Sequence, residues 1–568
     1  MGDPCAAGAR SPRPRGRQRR APRGCGPGAD QARVQQSDSE RAHALVAIGD
    51  GDAGCTHGQR RHPVHRGGRR GRHPAGVSRH HLPEVRAGED AAYSTSAELR
   101  PRAGILQARR GGARRAHLGE ERTGAAGKPV PLLAPRASTR RLGTDRERPL
   151  GVKLYLRTFG CRANQYDSEI VRARALAAGA TIVDAPEDAD VALFNSCAVT
   201  ADAVADLRQH VRRAARRNPS LRSVVMGCAA ALPGDAATPL AELPSVHALV
   251  PGADLDALVV ALDLPSDLVA PTTRQTGARA LLRIQDGCDE HCTFCVTTLA
   301  RGSHRSRPAD ALVDEARALA AHHGEIVLTG VHIGSWGKES GASLGALLER
   351  LVREVPDVRF RLTSIEATEV DDRLADLLVG APGRVAPHLH APLQSGSDRV
   401  LRRMGRHWYT AARYASAVER LAARTPVFAL AADLITGFPG ERDEDHAATV
   451  ALVHVLPFTS LHVFPYSERP GTAAARLPDP VAPRVARARA IELRELAAAK
   501  SEAHRRARIG GEADVVVIRD GAAACGLTED YLDVALEGGA PARAARFAAT
   551  LVARGAELRA EARATIAR

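Results

Sequence analysis

The sequence lacks two features that would point to a membrane or a secreted protein. It has no apolar run of about 18 residues, the length that a helix needs to cross a bilayer. No secretory signal is recognisable ahead of its cysteines. We therefore expect neither a membrane span nor a disulfide scaffold. Ten cysteines in such a chain fit a reducing cytoplasm, where thiols stay free to bind metal.

The sequence also lacks excess charge over most of its length. Residues 1–150 contain 30 Lys and Arg against 14 Asp and Glu, whereas residues 151–568 contain 50 against 51. The first quarter has Arg-rich clusters at 13–17 and 66–72 and no apolar periodicity, which predicts a disordered basic extension. Three interpretations remain open: a salt-sensitive RNA-binding arm, a solvated tail, or sequence upstream of the true start.

Three cysteines follow the spacing C-x3-C-x2-C at Cys288, Cys292 and Cys295, with Phe294 directly before the last. Three thiolates at this spacing can hold three irons of a [4Fe-4S] cluster and leave the fourth iron open to a small molecule. A zinc site is the alternative, because Cys292 and Cys295 form a zinc-type pair and His291 could be a further ligand. The spacing alone does not decide between them.

Residues 151–262 alternate between predicted strands and helices, and a cysteine follows each of three apolar strands. The strands at 152–156, 190–196 and 223–226 lead into Cys161, Cys197 and Cys228. Because the carboxyl ends of parallel strands share one edge, where ligands bind, we expect these cysteines to converge. The simpler interpretation is that they are small buried side chains. A basic helix follows Cys197, and its arginines between 208 and 217 either face solvent or contact phosphate.

A second α/β series covers residues 278–505. Six predicted strands lead into polar or glycine-rich sequence; they lie at 280–285, 325–328, 359–364, 388–393, 427–435 and 460–466. This pattern predicts a parallel barrel, complete or partial, with its site at the carboxyl ends of the strands. The loop that carries Cys288 follows the first strand and therefore opens onto that face. Residues 262–277 look like a linker, and residues 508–568 look like a small β domain.

An open cluster at the mouth of a six-unit barrel resembles the radical S-adenosylmethionine superfamily. The resemblance implies that S-adenosylmethionine chelates the open iron and is cleaved to a 5′-deoxyadenosyl radical, while the protein binds, orients and excludes water. It also implies roles for four residues at the cofactor. Phe294 would flank the adenine, whereas Gly330, Gly437 and Pro439 lie in the turns that would shape the nucleoside pocket.

Five further stretches resemble the methylthiotransferases within that superfamily. They are 158–164, 195–200, 226–228, 392–397 and 466–472, in the order typical of the family. The resemblance implies an α/β chain with three parts: an open parallel domain, a partial (β/α)6 barrel, and a small TRAM-like β-barrel. It further implies a second [4Fe-4S] cluster on Cys161, Cys197 and Cys228. That cluster would carry the sulfur that becomes a methylthio group.

The substrate branch is indicated by the residues after the second cysteine. Ala198-Val199-Thr200 resembles the branch that acts on N6-threonylcarbamoyladenosine at position 37, in the anticodon loop of tRNA. The stretch 325–337 points to the same branch. Alternatives are the branches for isopentenyladenosine in tRNA and for a ribosomal protein, and, more remotely, a non-enzymatic zinc- or cluster-bearing RNA-binding protein. The family also implies electron and sulfur donors, whose identity the sequence does not give.

Four features depart from the family pattern. Residues 231–239 after Cys228 lack the usual continuation, the terminal β domain is weakly matched, and two further departures concern the residues after Cys295 and the charge. Val296-Thr297-Thr298-Leu299 replaces the usual residues after Cys295, which makes the local packing there unpredictable. The last departure is the near-neutral charge of residues 151–568, which fits a tRNA-binding protein only if basic residues act locally. Candidates are residues 208–217 together with Arg301, Arg305 and Arg307.

Overall fold

A computed structural model describes residues 151–232, 237–265, 273–537, 541–555 and 557–562. The predicted basic extension, residues 1–150, lies outside the described residues. No helix within these ranges combines the length and the apolar composition of a membrane span.

The first part of the described chain is a five-stranded parallel sheet flanked by helices. Its elements are β1 (Lys153–Thr158), α1 (Arg162–Ala177), β2 (Thr181–Val183), β3 (Val191–Ser196), α2 (Ala201–Arg217), β4 (Arg222–Gly227), α3 (Thr238–Ala241), β5 (Val246–Pro251) and α4 (Leu255–Ala261). The strand order is β2-β1-β3-β4-β5. Alternate residues of β3 enter two cores, one on each face: Ala192 and Phe194 on one, Val191 and Leu193 on the other. The strands that precede the three cysteines are therefore neighbours at the centre of the sheet.

The second part is a curved parallel sheet of six strands with helices on its outer side. Its elements are β6 (Ala280–Arg283), β7 (Gln285–Asp286), α5 (Thr297–Arg301), β8 (Arg305–Ser306), α6 (Ala309–Ala320), β9 (Glu325–Thr329), α7 (Leu344–Glu354), β10 (Arg359–Leu362), α8 (Asp372–Gly380), β11 (His388–His390), α9 (Asp398–Arg403), α10 (Ala411–Ala422), β12 (Ala429–Thr436), α11 (Asp443–Val455), β13 (Ser460–Pro465) and α12 (Pro483–Ala507). The triplets β10-β9-β6 and β11-β12-β13 are joined by the bridges Phe360–Val385 and Ser364–His390. The cysteine loop 287–296 lies between the paired short strands β7 and β8.

The two faces of this curved sheet differ in polarity. Leu328, Leu362 and Leu434 point outward and belong to the main apolar core beneath the helices. Because side chains alternate along a strand, their neighbours point to the inner face. The inner-face residues include Glu325, Thr329, Arg359, Arg361, His388, His390, Asp433 and His462. The lumen of the partial barrel is therefore strongly polar.

The terminal part is a closed barrel with the strand order β14-β15-β16-β18-β17. Its strands are β14 (Glu512–Arg519), β15 (Cys525–Leu527), β16 (Asp533–Leu536), β17 (Arg546–Arg554) and β18 (Glu557–Ala562). A loop of this barrel reaches the lumen of the six-stranded sheet, where the Tyr531 ring stacks on His388 with 4.7 Å between centroids. Arg361, on strand β10 of the six-stranded sheet, donates to the carbonyls of Thr528 and Glu529 in the same loop. The predicted parallel α/β chain that ends in a small β-barrel is confirmed.

Helix α1 of the first sheet covers the open side of the curved sheet. Tyr166 and Ile170 on this helix pack against Leu281 and Val327, which point inward from β6 and β9. One helix turn away, Arg162 Nη2 donates to the Tyr531 hydroxyl at 2.5 Å. All three parts of the chain therefore meet inside the lumen.

A buried ion network fastens the first sheet to the cysteine loop. The Asp167 carboxylate on α1 accepts from Arg301 Nη2 at 2.8 Å and also from Arg283. Asp286, at the start of the cysteine loop, pairs with the same two arginines, and its Oδ1 lies 3.1 Å from Arg301 Nη1. Burial alone would raise the pKa of the Asp286 carboxyl, but Arg301 and Arg283 hold that pKa below its ordinary value.

Removing the Asp167 charge tests this network. Asp167→Asn leaves Arg283 and Arg301 buried with one carboxylate instead of two, so we expect the unfolding free energy of the metal-free chain to fall by about 3–5 kcal/mol. Urea denaturation followed by circular dichroism measures the change. The matched control is Asp314→Asn, whose exposed pairing with Arg317 should contribute no more than about 1 kcal/mol. Equal small effects of both substitutions would contradict the role of the network.

Candidate iron–sulfur sites

The first cysteine triad lies at the carboxyl ends of three adjacent strands. Cys161 follows β1 and begins α1, Cys197 follows β3, and Cys228 follows β4. Cys197 and Cys228 are buried and Cys161 is partly exposed, and all three are free thiols. Gly160 has a φ of +101°, and a Cβ there would lie 2.7 Å from the Cys197 Cβ. Glycine is therefore needed for the Cys161 loop to approach Cys197 this closely.

A buried amide and hydroxyl network holds the three cysteine loops together. Asn164 Nδ2 donates to Asn195 Oδ1 and to the Ser196 carbonyl, both at 2.8 Å, and Asn195 Nδ2 returns a bond to the Asn164 carbonyl at 2.7 Å. Ser196 Oγ donates to the Met226 carbonyl and accepts from the Ala229 amide. Each loop is thus hydrogen-bonded to its neighbour, which positions the three sulfurs before any metal binds.

Two buried arginines, Arg301 and Arg469, lie near the thiols of the first triad. Burial, together with the nearby Cys228 and Cys161, raises the pKa of the Cys197 thiol to about 12. Burial also raises the pKa of Cys228, although Arg301 opposes the shift. Arg469 is the basic group near Cys197; it is only 4% exposed, and its Nε has no hydrogen-bond partner in the described part of the chain. These guanidiniums would offset the negative charge of thiolates once metal displaces the protons.

The second triad lies in the cysteine loop above the six-stranded sheet. Gly287 has a φ of +68°, and a Cβ there would lie 1.9 Å from the Ser303 carbonyl oxygen, so only glycine allows this entry to the loop. The Glu290 amide donates to Cys288 Sγ and the Thr297 amide to Cys295 Sγ, both at 3.4 Å. Backbone amides therefore point at two of the three sulfurs.

Side chains from the barrel complete the second site. Arg406 is 4% exposed; its Nη1 lies 3.6 Å from Cys292 Sγ, and it also pairs with Glu366. Burial raises the pKa of the Cys292 thiol to about 12, although Arg406 opposes the shift. On the other side, His332 Nδ1 lies 3.8 Å from Cys288 Sγ. Sequence reasoning did not assign a role to Arg406 or His332, because neither has a fixed spacing from the cysteines.

The sulfurs of each cysteine triad are spread more widely than the ligands of a zinc ion. Tetrahedral zinc with bonds of about 2.3 Å would bring thiolate sulfurs to roughly 3.8 Å from one another. Among the described residues, only His390, Asp433 and His462 form a group of three whose ligand atoms all lie within 4.8 Å of one another. Both cysteine triads are thus wider than a zinc site requires, and His291 is exposed.

Of the four predicted cofactor residues, Phe294, Gly437 and Pro439 lie together at the top of the barrel, whereas Gly330 follows a different strand, β9. Phe294 packs on the apolar cluster that contains Ile435 and Phe438, and Pro439 is buried in the following turn. Gly437 has a φ of +72°, and a Cβ there would lie 2.1 Å from the Ala486 Cβ, so packing against α12 already requires glycine. Gly330 lies against Gln285, whose carbonyl oxygen would be 2.7 Å from an added Cβ. Their proposed contacts with a nucleoside remain predictions.

The unusual sequence after Cys295 packs against the first triad. Val296 and Ala300 are buried in the same apolar cluster as Cys197, Cys228 and Ala229. Small residues on α5 therefore let the cysteine loop sit directly on the turn after Cys228. The two triads are linked by apolar packing here and by the Arg301 network beside it.

One sequence-based interpretation of the basic residues is wrong. Arg301 is 5% exposed and is neutralised by Asp167 and Asp286, so it is not a surface group that contacts RNA. Arg307 is likewise paired, with Glu315 at 2.7 Å. Arg305 alone of the three is largely exposed. Nothing in the spacing of these arginines signals that Arg301 is buried or that Arg307 is half-buried and paired.

Comparison with known proteins identifies the family. Residues 153–250 match the uncharacterized protein family UPF0004, and residues 282–453 match the radical SAM superfamily. The threonylcarbamoyladenosine tRNA methylthiotransferase MtaB of Aquifex aeolicus is 32% identical over 68% of this chain and 97% of its own length. This chain is a radical SAM methylthiotransferase. The predicted resemblance is confirmed, and the alternative of a non-enzymatic zinc- or cluster-bearing protein is wrong.

Further relatives fall into two groups by name. MtaB of Thermotoga maritima is 34% identical over 64% of this chain and 85% of its own length. The tRNA-2-methylthio-N(6)-dimethylallyladenosine synthase of Chlorobium luteolum is 35% identical over 65% and 86%. Among solved structures, the radical SAM methyltransferase TsrM of Kitasatospora setae covers 57% of this chain and 77% of its own, with 15% identity and a TM-score of 0.44. Methylthiotransferases of this family use S-adenosylmethionine and [4Fe-4S] clusters, which are the cofactors of this enzyme.

Alkylation of the metal-free protein tests the buried thiol of Cys197. Burial limits access to this thiol and raises its pKa, so iodoacetamide should label Cys197 far more slowly at pH 8 than the partly exposed Cys525. Peptide mass spectrometry measures the rates. Reconstitution with iron and sulfide should protect all six triad cysteines and leave Cys525 reactive. Rapid labelling of Cys197 would contradict the buried site.

Proposed function

We propose that this enzyme methylthiolates C2 of N6-threonylcarbamoyladenosine at position 37 of tRNA. The observation that carries the proposal is the pairing of two cysteine triads, one on each parallel α/β part, joined by the packing of α5 on the turn after Cys228. The relatives named above act on tRNA according to their names. A chain with two such triads can bind a radical-generating cofactor and a sulfur-bearing one next to each other.

We assign Cys288, Cys292 and Cys295 to the radical-generating cluster, and Cys161, Cys197 and Cys228 to the second. When bound, the cofactors supply one-electron cleavage of S-adenosylmethionine and the sulfur atom that is inserted. The chain supplies the surroundings. Backbone amides donate to the sulfurs, buried guanidiniums offset their charge, and Val296 and Ala300 exclude water between the two sites.

The substrate branch rests on two features of this chain. The first is Ala198-Val199-Thr200, whose last residue caps α2 by accepting from the Ala203 amide at 3.1 Å. The second is the polar lumen, which suits a polar substituent on the adenine better than a hydrocarbon one. The alternative substrate is isopentenyladenosine, also called N6-dimethylallyladenosine. Relatives of similar sequence identity that are named for this nucleoside favour it. A ribosomal protein has no observation in its favour here.

The exposed face of α2 is a candidate contact for tRNA phosphates. Arg212 and Arg216 are exposed one turn apart on this helix, which begins directly after the Cys197 loop. Guanidiniums on such a surface bind phosphate without reading sequence and would position the anticodon arm near the triads.

An assay with purified components tests the proposal. The reconstituted full chain, incubated with S-adenosylmethionine, a reductant and tRNA that carries N6-threonylcarbamoyladenosine, should yield the 2-methylthio nucleoside, detected by mass spectrometry of the digested tRNA. Cys197→Ala should lose that product and still release 5′-deoxyadenosine, because it disrupts only the first triad, Cys161, Cys197 and Cys228.

Cys525→Ala is the matched control, since Cys525 lies in the terminal barrel away from both triads; it should keep both activities. Loss of 5′-deoxyadenosine in Cys197→Ala would contradict separate roles for the triads. Methylthiolation of isopentenyladenosine tRNA alone would contradict the substrate assignment.

A further inference from the structure

Three polar side chains lie side by side on the inner face of the barrel. His390, Asp433 and His462 come from the adjacent strands β11, β12 and β13. His390 Nε2 lies 3.0 Å and His462 Nδ1 3.1 Å from the same carboxylate oxygen, Asp433 Oδ1. Asp433 and His390 are buried, whereas the His462 side chain is 28% exposed. The group therefore has one open side, at His462.

This His-Asp-His group lies directly beneath the predicted cofactor pocket. On β12, Ile435 follows Asp433 by two residues on the same face, a distance of roughly 7 Å along the strand. Ile435 packs with Phe438, and Phe294 of the cysteine loop contacts the same cluster. Below the group, His388 stacks on Tyr531 and closes the lumen. A molecule held under the cofactor would therefore meet His462 first.

Three further polar atoms on this inner face have no hydrogen-bond partner among the residues that the structure describes. The hydroxyls of Thr329 and Thr363 and the Nδ1 atom of His388 are buried and make no hydrogen bond within the described part of the chain. These three residues are 0%, 1% and 4% exposed. Because an unsatisfied buried polar group is costly, such atoms mark a place where a ligand supplies the missing bonds.

The His-Asp-His group and the unpaired polar atoms around it favour an organic ligand with several polar groups over a bound cation. A cation on the His-Asp-His group would explain those three side chains, but it would leave the hydroxyls of Thr329 and Thr363 unexplained. A threonylcarbamoyl substituent offers a carboxylate, a hydroxyl, a carbonyl and N–H groups. A dimethylallyl substituent is a hydrocarbon and would leave the inner-face polar atoms desolvated and unpaired.

We propose that His390, Asp433 and His462, together with the Thr363 hydroxyl, bind the polar substituent on N6 of the target adenine and so select threonylcarbamoyladenosine over dimethylallyladenosine. This inference rests on the proposed function. Asp433 accepts from both imidazoles and orients them, and His462 contacts the substituent. A site built to hydrogen-bond a substrate discriminates strongly against an analogue that lacks those groups.

Substitution of His462 tests the selection. His462→Leu should lower kcat/KM on threonylcarbamoyladenosine tRNA by roughly 10- to 100-fold, because it removes one hydrogen-bonding group and leaves its partners unpaired. The ratio of kcat/KM on threonylcarbamoyladenosine tRNA to kcat/KM on dimethylallyladenosine tRNA should fall by a similar factor. His462→Gln keeps a polar end and should recover part of the loss. The matched control is His454→Leu on the outer helix α11, where the side chain is exposed; it should leave both substrates unaffected.

A second variant separates binding from folding. Thr363→Val replaces an unpartnered buried hydroxyl by a methyl group of similar size, so it should raise the thermal unfolding midpoint while lowering the activity on threonylcarbamoyladenosine tRNA by a few-fold or more. A residue with a purely structural role would not move these two quantities in opposite directions.

The outcomes separate this inference from the proposed function. If the wild type modifies only dimethylallyladenosine tRNA, the substrate assignment fails and this inference with it. If it modifies threonylcarbamoyladenosine tRNA but His462→Leu and Thr363→Val leave the ratio of the two substrates unchanged, only the inference is wrong. Stoichiometric zinc or extra iron that is present in the wild type and lost in His462→Leu would also overturn it, because the group would then be a metal site.

Discussion

The buried pairing of Arg301 with Asp167 and Asp286 is the constraint on which the rest of the structure depends. Arg301 ends the helix that follows the second cysteine triad, Asp167 lies on the helix that begins at Cys161, and Arg301 also interacts with Cys228. One side chain therefore relates both triads to each other. A buried arginine is stable only with its carboxylates in place, so the relative position of the two sites is fixed by charge as well as by packing.

This arrangement explains why the lumen is polar. The helix that carries Asp167 also places Tyr166 against the inner face of the barrel, and the terminal barrel closes the other end with Tyr531. Leu281 and Val327 on the inner face pack against Tyr166, and most of the other inner-face residues are polar. Buried polar groups of this kind are costly without partners, and their retention is consistent with a substrate that carries polar groups to this place.

The sequence predicts the strands and the cysteines well, because both depend on local patterns. Long apolar strands such as β3 and β12 are visible as runs, and the C-x3-C-x2-C spacing is a motif. The edge strands β2 and β5 were not predicted, since β2 has only three residues and β5 is largely half-exposed. The burial of Arg301 and the contact of Arg406 with Cys292 depend on residues more than a hundred positions apart. No local pattern reports such pairings.

The central proposal is that two iron–sulfur clusters lie close together, one on each side of the contact between α5 and the turn after Cys228, and electron paramagnetic resonance of the reduced, reconstituted full chain tests it most directly. The account predicts a spectrum broadened by magnetic interaction between two clusters, with faster spin relaxation than in variants that keep one triad, Cys197→Ala or Cys295→Ala. A wild-type spectrum equal to the sum of the two single-cluster spectra, with unchanged relaxation, would contradict it.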